Sequence, residues 1–137
     1  HPLETLKSVV KTKEILEAAD AIRRIFVSPQ VKRYIVDITR RTRESDDVYL
    51  GASPRGSLGL FRSGQARAAI QGREFVLPDD VKAMAVPVLG HRIIVSPAAR
   101  LRDLSADRIV EEIVRAQPSP GGDYSSGTSL KVRKEAK

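Results

Sequence analysis

The sequence predicts an all-α domain, a small bundle of about five helices with room for one short two-stranded ribbon. Three observations point there. Apolar residues recur at three- and four-residue spacings along successive segments. Those segments open on Thr, Ser or Pro, and several close on Gly or on basic residues. Strand character is limited to "RIIV" and to a two-residue piece at Phe75 and Val76.

A chain of 137 residues has room for one domain with a useful core. Hydrophobic residues make up 41% and charged residues 30%, a balance at which most of the chain folds. Aromatics are only 4% and Trp is absent, so the core rests on Leu, Ile, Val and Ala.

Residues 1–11 read as an approach segment. Thr12 is placed to cap a first helix over residues 13–25, where Ile15, Ala19, Ile22 and Phe26 gather on one face. Glu14 and Glu17 near its start and Arg23 and Arg24 near its end match the helix dipole. "SPQVKRYIVDITRRTRE" repeats the logic: Ser28 caps, Pro29 opens, and Val31, Tyr34, Ile35 and Ile38 form the stripe. Arg40, Arg41 and Arg43 read as dipole partners and solvated surface. "ESDDVYL" follows as a loop.

A third helix is expected from Pro54 to about Gln71, stopped by Gly72 in the left-handed conformation. Leu58, Phe61 and Ala68 would share its buried face, flanked by Leu60, Ala69 and Ile70. Gly56, Gly59 and Gly64 leave two readings open, close packing at those positions or a locally soft helix. The fourth helix begins near Pro78 with Asp79 and Asp80 in its first turn, is interrupted by Pro87 and ends near Gly90. "RIIV" could pair with residues 75–76. Ser105 caps a last helix, Ala106–Ala116, burying Ile109, Ile113 and Val110. The organisation is one helical domain over residues 1–116 and a flexible basic tail over 117–137, rich in Pro, Gly and Ser.

The net charge of +7 favours an anionic partner. No apolar run approaches ~20 residues, so no membrane span is expected, and no leader peptide is visible. A chain opening on "HPLETL" without Met reads as a piece of something longer. The absence of Cys excludes disulfides and cysteine metal sites and permits a reducing compartment. His1 and His91 stand alone, without the ligand spacing of a metal site. No phosphate-binding G-x-x-x-x-G-K-[ST] loop is present. "GASPR" is not a nucleophile elbow, because proline and arginine fill its last two places. Asp79 and Asp80 are explained by the helix start.

Within "GASPRGSLGLF" one residue asks for an explanation. Ser53 and Pro54 open a helix, yet the next residue is Arg55, a cation at the positive end of the dipole. The placement makes sense if an anion arrives there. Unpaired N–H groups of a first helical turn bind anions, and a guanidinium adds paired donors for phosphate oxygens. A solvated arginine that tolerates the position is the other reading.

"TRESDDVYLGASPRGSLGL" and "GREFVLPDDVKAMAVPVLGHRIIVSP" together resemble the carboxyl-terminal helical lid of MoxR-type AAA+ ATPases, over residues 1–116. The resemblance implies a subdomain that follows an ATP-binding core in a ring-forming ATPase. It implies that Arg55 is the sensor-2 residue reaching the terminal phosphates of ATP, with Gly51, Ser53 and Pro54 setting the turn that aims it. ATP and its Mg would be held by the core, and neighbouring ring subunits and proteins with von Willebrand factor A-type domains would be partners. Chaperone-like remodelling of protein complexes in the cytoplasm is the implied task, with no activity expected of the fragment alone. Leu77 departs from the family pattern where a capping threonine is usual. The alternative is a stand-alone basic helical module that binds nucleic acid, against which scattered aromatics and interleaved acids weigh.

Overall fold

Ser28, Ser96 and Ser105 each carry a hydroxyl that accepts from a backbone N–H three residues on, at 3.2, 3.3 and 3.2 Å. These caps start three of the helices. In the computed structural model, which describes residue 5 and residues 7–121, the order is α1 (Thr12–Arg23), α2 (Pro29–Glu44), β1 (Val48–Leu50), α3 (Pro54–Ile70), α4 (Pro78–Leu89), β2 (Ile94–Val95), α5 (Pro97–Arg100) and α6 (Ala106–Ala116). A 3-10 turn, Gly90–Arg92, joins α4 to β2. Most of the basic tail expected from residue 117 lies outside the described residues.

The core sits between α2, α3, α4 and α6. It joins Val31, Tyr34, Ile35 and Ile38 of α2 to Leu60, Val81, Ala85, Leu89, Ile109, Val110 and Ile113, as the spacing in α2 and α6 predicts. Gly72 has φ +68°, the left-handed stop expected after α3.

Several expectations are corrected. Thr12 begins α1 rather than capping it; the N–H of Lys11 before it donates to Glu14 Oε2 at 2.6 Å. No residue of α1 is fully buried; Ala19 and Ile22 of the predicted stripe are half-buried, while its ends, Ile15 at 55% and Phe26 at 61% exposure, face outward. Periodicity reports an apolar face, not what covers it. Pro87 does not interrupt α4, which continues to Leu89. The proline removes one N–H near the helix end, on an exposed face, where the lost bond costs least. α5 is an additional short helix after Ser96.

The ribbon also differs. β2 pairs antiparallel with β1, which the sequence reads as loop, and not with residues 75–76. Phe75 instead bridges Phe26, whose N–H donates to Glu74 O at 2.8 Å and whose carbonyl accepts from Val76 at 2.9 Å. The α1–α2 connection thus takes the partner that β2 was expected to use. Asp47 anchors the true pairing, accepting the Ser96 N–H on its carbonyl at 2.8 Å and Arg102 on its carboxylate.

α3 buries Ala68 and half-buries Phe61 as expected but turns Leu58 outward and centres its inner face on Leu60 and the glycines. Leu58 is 64% exposed, while Gly56, Leu60, Gly64, Gln65 and Ala68 are buried. The glycines form the seam with α4. A Cβ at Gly56 would stand 2.9 Å from Leu89 Cδ2, and one at Gly59 2.8 Å from Val88 Cγ1. Close packing is therefore the reading that holds. α3 and α4 run antiparallel along this seam, which puts the start of α3 beside the end of α4.

Candidate functional site

Every helix start leaves N–H groups without intrahelical partners, and most starts here are closed. Ser hydroxyls close α2, α5 and α6, Glu14 closes α1, and Asp80 accepts the Leu77 N–H at 2.8 Å ahead of α4. Among the described residues α3 alone has neither a capping side chain nor an acid in its first turn. Ser53 holds the cap position with φ −74° and ψ 171°, but its hydroxyl makes no capping bond, contrary to the sequence expectation. Its carbonyl takes the Gly56 N–H at 2.7 Å and tightens the turn.

Arg55 stands in that open turn. It is exposed and has no hydrogen-bond or ion-pair partner among the described residues. Other surface arginines are also unpaired; the open helix start distinguishes this one. Pro54 fixes the backbone just before it.

The approach to α3 is held from α2. Gly51 lies against Arg43 so closely that a Cβ there would be 2.7 Å from the Arg43 backbone N and Cα. Ala52 is fully buried, its N–H donating to Thr42 Oγ1 at 2.9 Å and its carbonyl accepting from Arg43 Nη1 at 3.2 Å. Thr42 and Arg43 carry no sequence signal of this; Arg43 hides among cations read as solvated surface. On the other side Gly51 follows the ribbon, where Tyr49, Leu50 and Ile94 are exposed apolar residues.

Sequence reasoning also misses two buried polar groups. Gln65 reaches 2.8 Å to the Ile25 carbonyl and 3.3 Å to Arg23 O, attaching the end of α1 to α3. Asp80 accepts both Arg73 nitrogens at 2.8 and 2.7 Å while 3% exposed. Burial alone would raise its pKa, but hydrogen bonds from Arg73 and Leu77 and the charges of Arg73 and Arg67 hold the carboxyl below the usual range. A carboxylate so occupied is unavailable as a proton acceptor. His91 is exposed in the 3-10 turn, and no group of three or more metal-capable side chains occurs among the described residues. No helix among them is long and apolar enough to cross a membrane.

The family model for the AAA lid domain matches residues 40–113, from the end of α2 into α6. The chain belongs to the AAA lid domain family. Within it this lid is of the MoxR type. It is 36% identical over 120 residues to YeaC of Bacillus subtilis, covering 88% of this chain and 38% of that protein. It is 39% identical over 84 residues to protein MoxR of Paracoccus denitrificans, covering 52% of this chain and 25% of that one. Chaperone MoxR1 of Mycobacterium tuberculosis is 26% identical over 123 residues, covering 83% and 33% of the two chains. Among solved structures, one from Cytophaga hutchinsonii designated an ATPase matches with TM-score 0.75 and 30% identity over 80% of this lid and 36% of that chain. The lid thus spans well under half the length of these relatives.

Proposed function

We propose that this lid contributes Arg55 as the sensor-2 arginine of a MoxR-type AAA+ ATPase, contacting the terminal phosphates of ATP held by a core in the same polypeptide. The observation that carries the reading is the open, cationic start of α3. Its uncapped serine, acid-free first turn and unpaired guanidinium form a positive spot that nothing among the described residues neutralises. A polyanion fits such residues. Within the loop, Gly51 allows close approach to α2, Ser53 leaves the turn open, and Pro54 sets the direction.

Arg55 would stabilise phosphoryl charge without moving protons. Contact with the nucleotide would draw the lid toward the core, so that hydrolysis releases it as a rigid body. The Mg that accompanies ATP finds no ligand set among the described residues and belongs to the core in this reading. Neighbouring ring subunits, and partners with von Willebrand factor A-type domains, complete the assembly. The chaperone designation of MoxR1 supports remodelling of protein complexes as the task, and a cysteine-free composition fits work in the cytoplasm. Residues 1–116 form the lid proper and 117–137 an extension.

The test is ATP turnover of the full-length protein. Arg55→Ala is expected to lower kcat by about 10²-fold, the scale of losing one preorganised donor to transition-state charge, with the melting temperature of the lid unchanged. Arg55→Lys recovers part of the rate, since a point charge replaces a paired donor. Wild-type turnover in Arg55→Ala would refute the role.

A further inference from the structure

Both backbone polar groups of Ala52 are held by consecutive side chains of α2. The N–H donates to Thr42 Oγ1 and the carbonyl accepts from Arg43 Nη1. Thr42 donates its own proton to the Thr39 carbonyl at 2.7 Å, so its hydroxyl is oriented, donor along the helix and acceptor toward the loop. Thr42 is completely buried. Steric contact adds a third constraint, because Gly51 abuts the Arg43 backbone with no room for a side chain. Loops usually owe their conformation to their own turn chemistry; this one is strapped to a neighbouring helix instead.

We propose that Thr42 and Arg43 are positioning residues that set the aim of Arg55. The proposal rests on the sensor reading for what Arg55 meets, whereas the strap itself belongs to this chain. Ala52 precedes Arg55 by three residues, and Pro54 between them has a fixed φ. A displacement of Ala52 is therefore passed to the first turn of α3. Loss of the threonine hydroxyl leaves the Ala52 N–H buried without a partner, and the loop must move toward water to satisfy it. Loss of the Arg43 guanidinium frees the carbonyl on the other side. Electrostatic assistance to phosphoryl transfer depends on placement, with a 1 Å error able to cost about 10²-fold in rate. Neither residue needs to touch nucleotide to matter.

Thr39 supplies a matched control. Thr39 is as buried as Thr42, but its hydroxyl donates at 3.0 Å to Ile35 O within its own helix rather than bonding the loop backbone. Two measurements are made on Thr42→Val, Thr42→Ser, Thr39→Val, Arg43→Met and Arg55→Ala. In this chain, amide exchange by NMR reads the Ala52 N–H; Thr42→Val is expected to speed it at least tenfold, with Thr42→Ser and Thr39→Val unchanged. In the full-length protein, Thr42→Val and Arg43→Met are expected to lower kcat by about tenfold or more with KM little altered, while Thr42→Ser and Thr39→Val retain the rate. Arg43 is exposed, so its variant keeps the test open should Thr42→Val fold poorly.

Wild-type kcat in Thr42→Val and Arg43→Met, alongside an impaired Arg55→Ala, would overturn the strap and leave the sensor reading intact. An equal loss in Thr39→Val would also overturn it, showing general destabilisation. Full activity in Arg55→Ala would remove the sensor reading itself, while faster exchange at Ala52 would still establish the strap.

Discussion

At Asp80, donors from Arg73 and Leu77 converge on one carboxylate, with Arg67 3.6 Å away. The pair ties the turn after α3 to the start of α4. Removing one partner of a buried ion pair is costly because the other charge stays behind. Arg73→Ala is therefore expected to destabilise the lid by about 3 kcal/mol, read from urea unfolding at neutral pH. The sign of the pH effect follows from the depressed carboxyl. The folded state binds the Asp80 proton more weakly than the unfolded chain, whose value is near ~3.9. The contribution is thus complete above that value and is lost as pH falls through the lower folded one. Unfolding of the wild type measured downward from pH 5 should show this loss, and Arg73→Ala should show less of it. Arg55 illustrates the opposite condition, a charge left uncompensated among the described residues.

At the scale of elements, α3 trades helix propensity for proximity. Its glycines weaken it by about 1 kcal/mol each relative to alanine, yet they let α4 approach where side chains would collide. Gly56→Ala is expected to destabilise by about 1–3 kcal/mol through overpacking against Leu89, despite the better propensity, as chemical denaturation would show. The sequence displays those glycines without revealing which side they face. Spacing alone assigns Leu58 to the buried face, because an apolar side chain is easier to read than the absence of one. For α2 and α6 the stripe was legible, since each element is flanked by a serine cap and buries only β-branched, aliphatic or tyrosine residues. The ribbon was not, because β1 lies inside a polar run and pairs with residues more than forty positions away. Thr42 and Arg43 escaped for a related reason: a single tertiary hydrogen bond to a loop leaves no period in the sequence.

For the whole molecule, one core gathers side chains from every helix but α1, and burial in that core should decide what an apolar substitution costs. Ile109→Ala is expected to cost about 2–5 kcal/mol, whereas Ile15→Gln should stay within ~0.5 kcal/mol, both by thermal or urea unfolding of this chain. The contrast is sharper because sequence periodicity rates the two positions alike. α1 is held at its carboxyl end, where the carbonyls of Arg23 and Ile25 meet the Gln65 carboxamide. Twelve residues with no interior side chain fall near the length at which a free peptide stops holding helical shape in water. The amino-terminal arm should therefore behave like a spring clipped at one end: its amides should exchange with solvent many times faster than those of α2, and a neighbouring surface that laid itself along Ile15 and Leu16 would wind it tight.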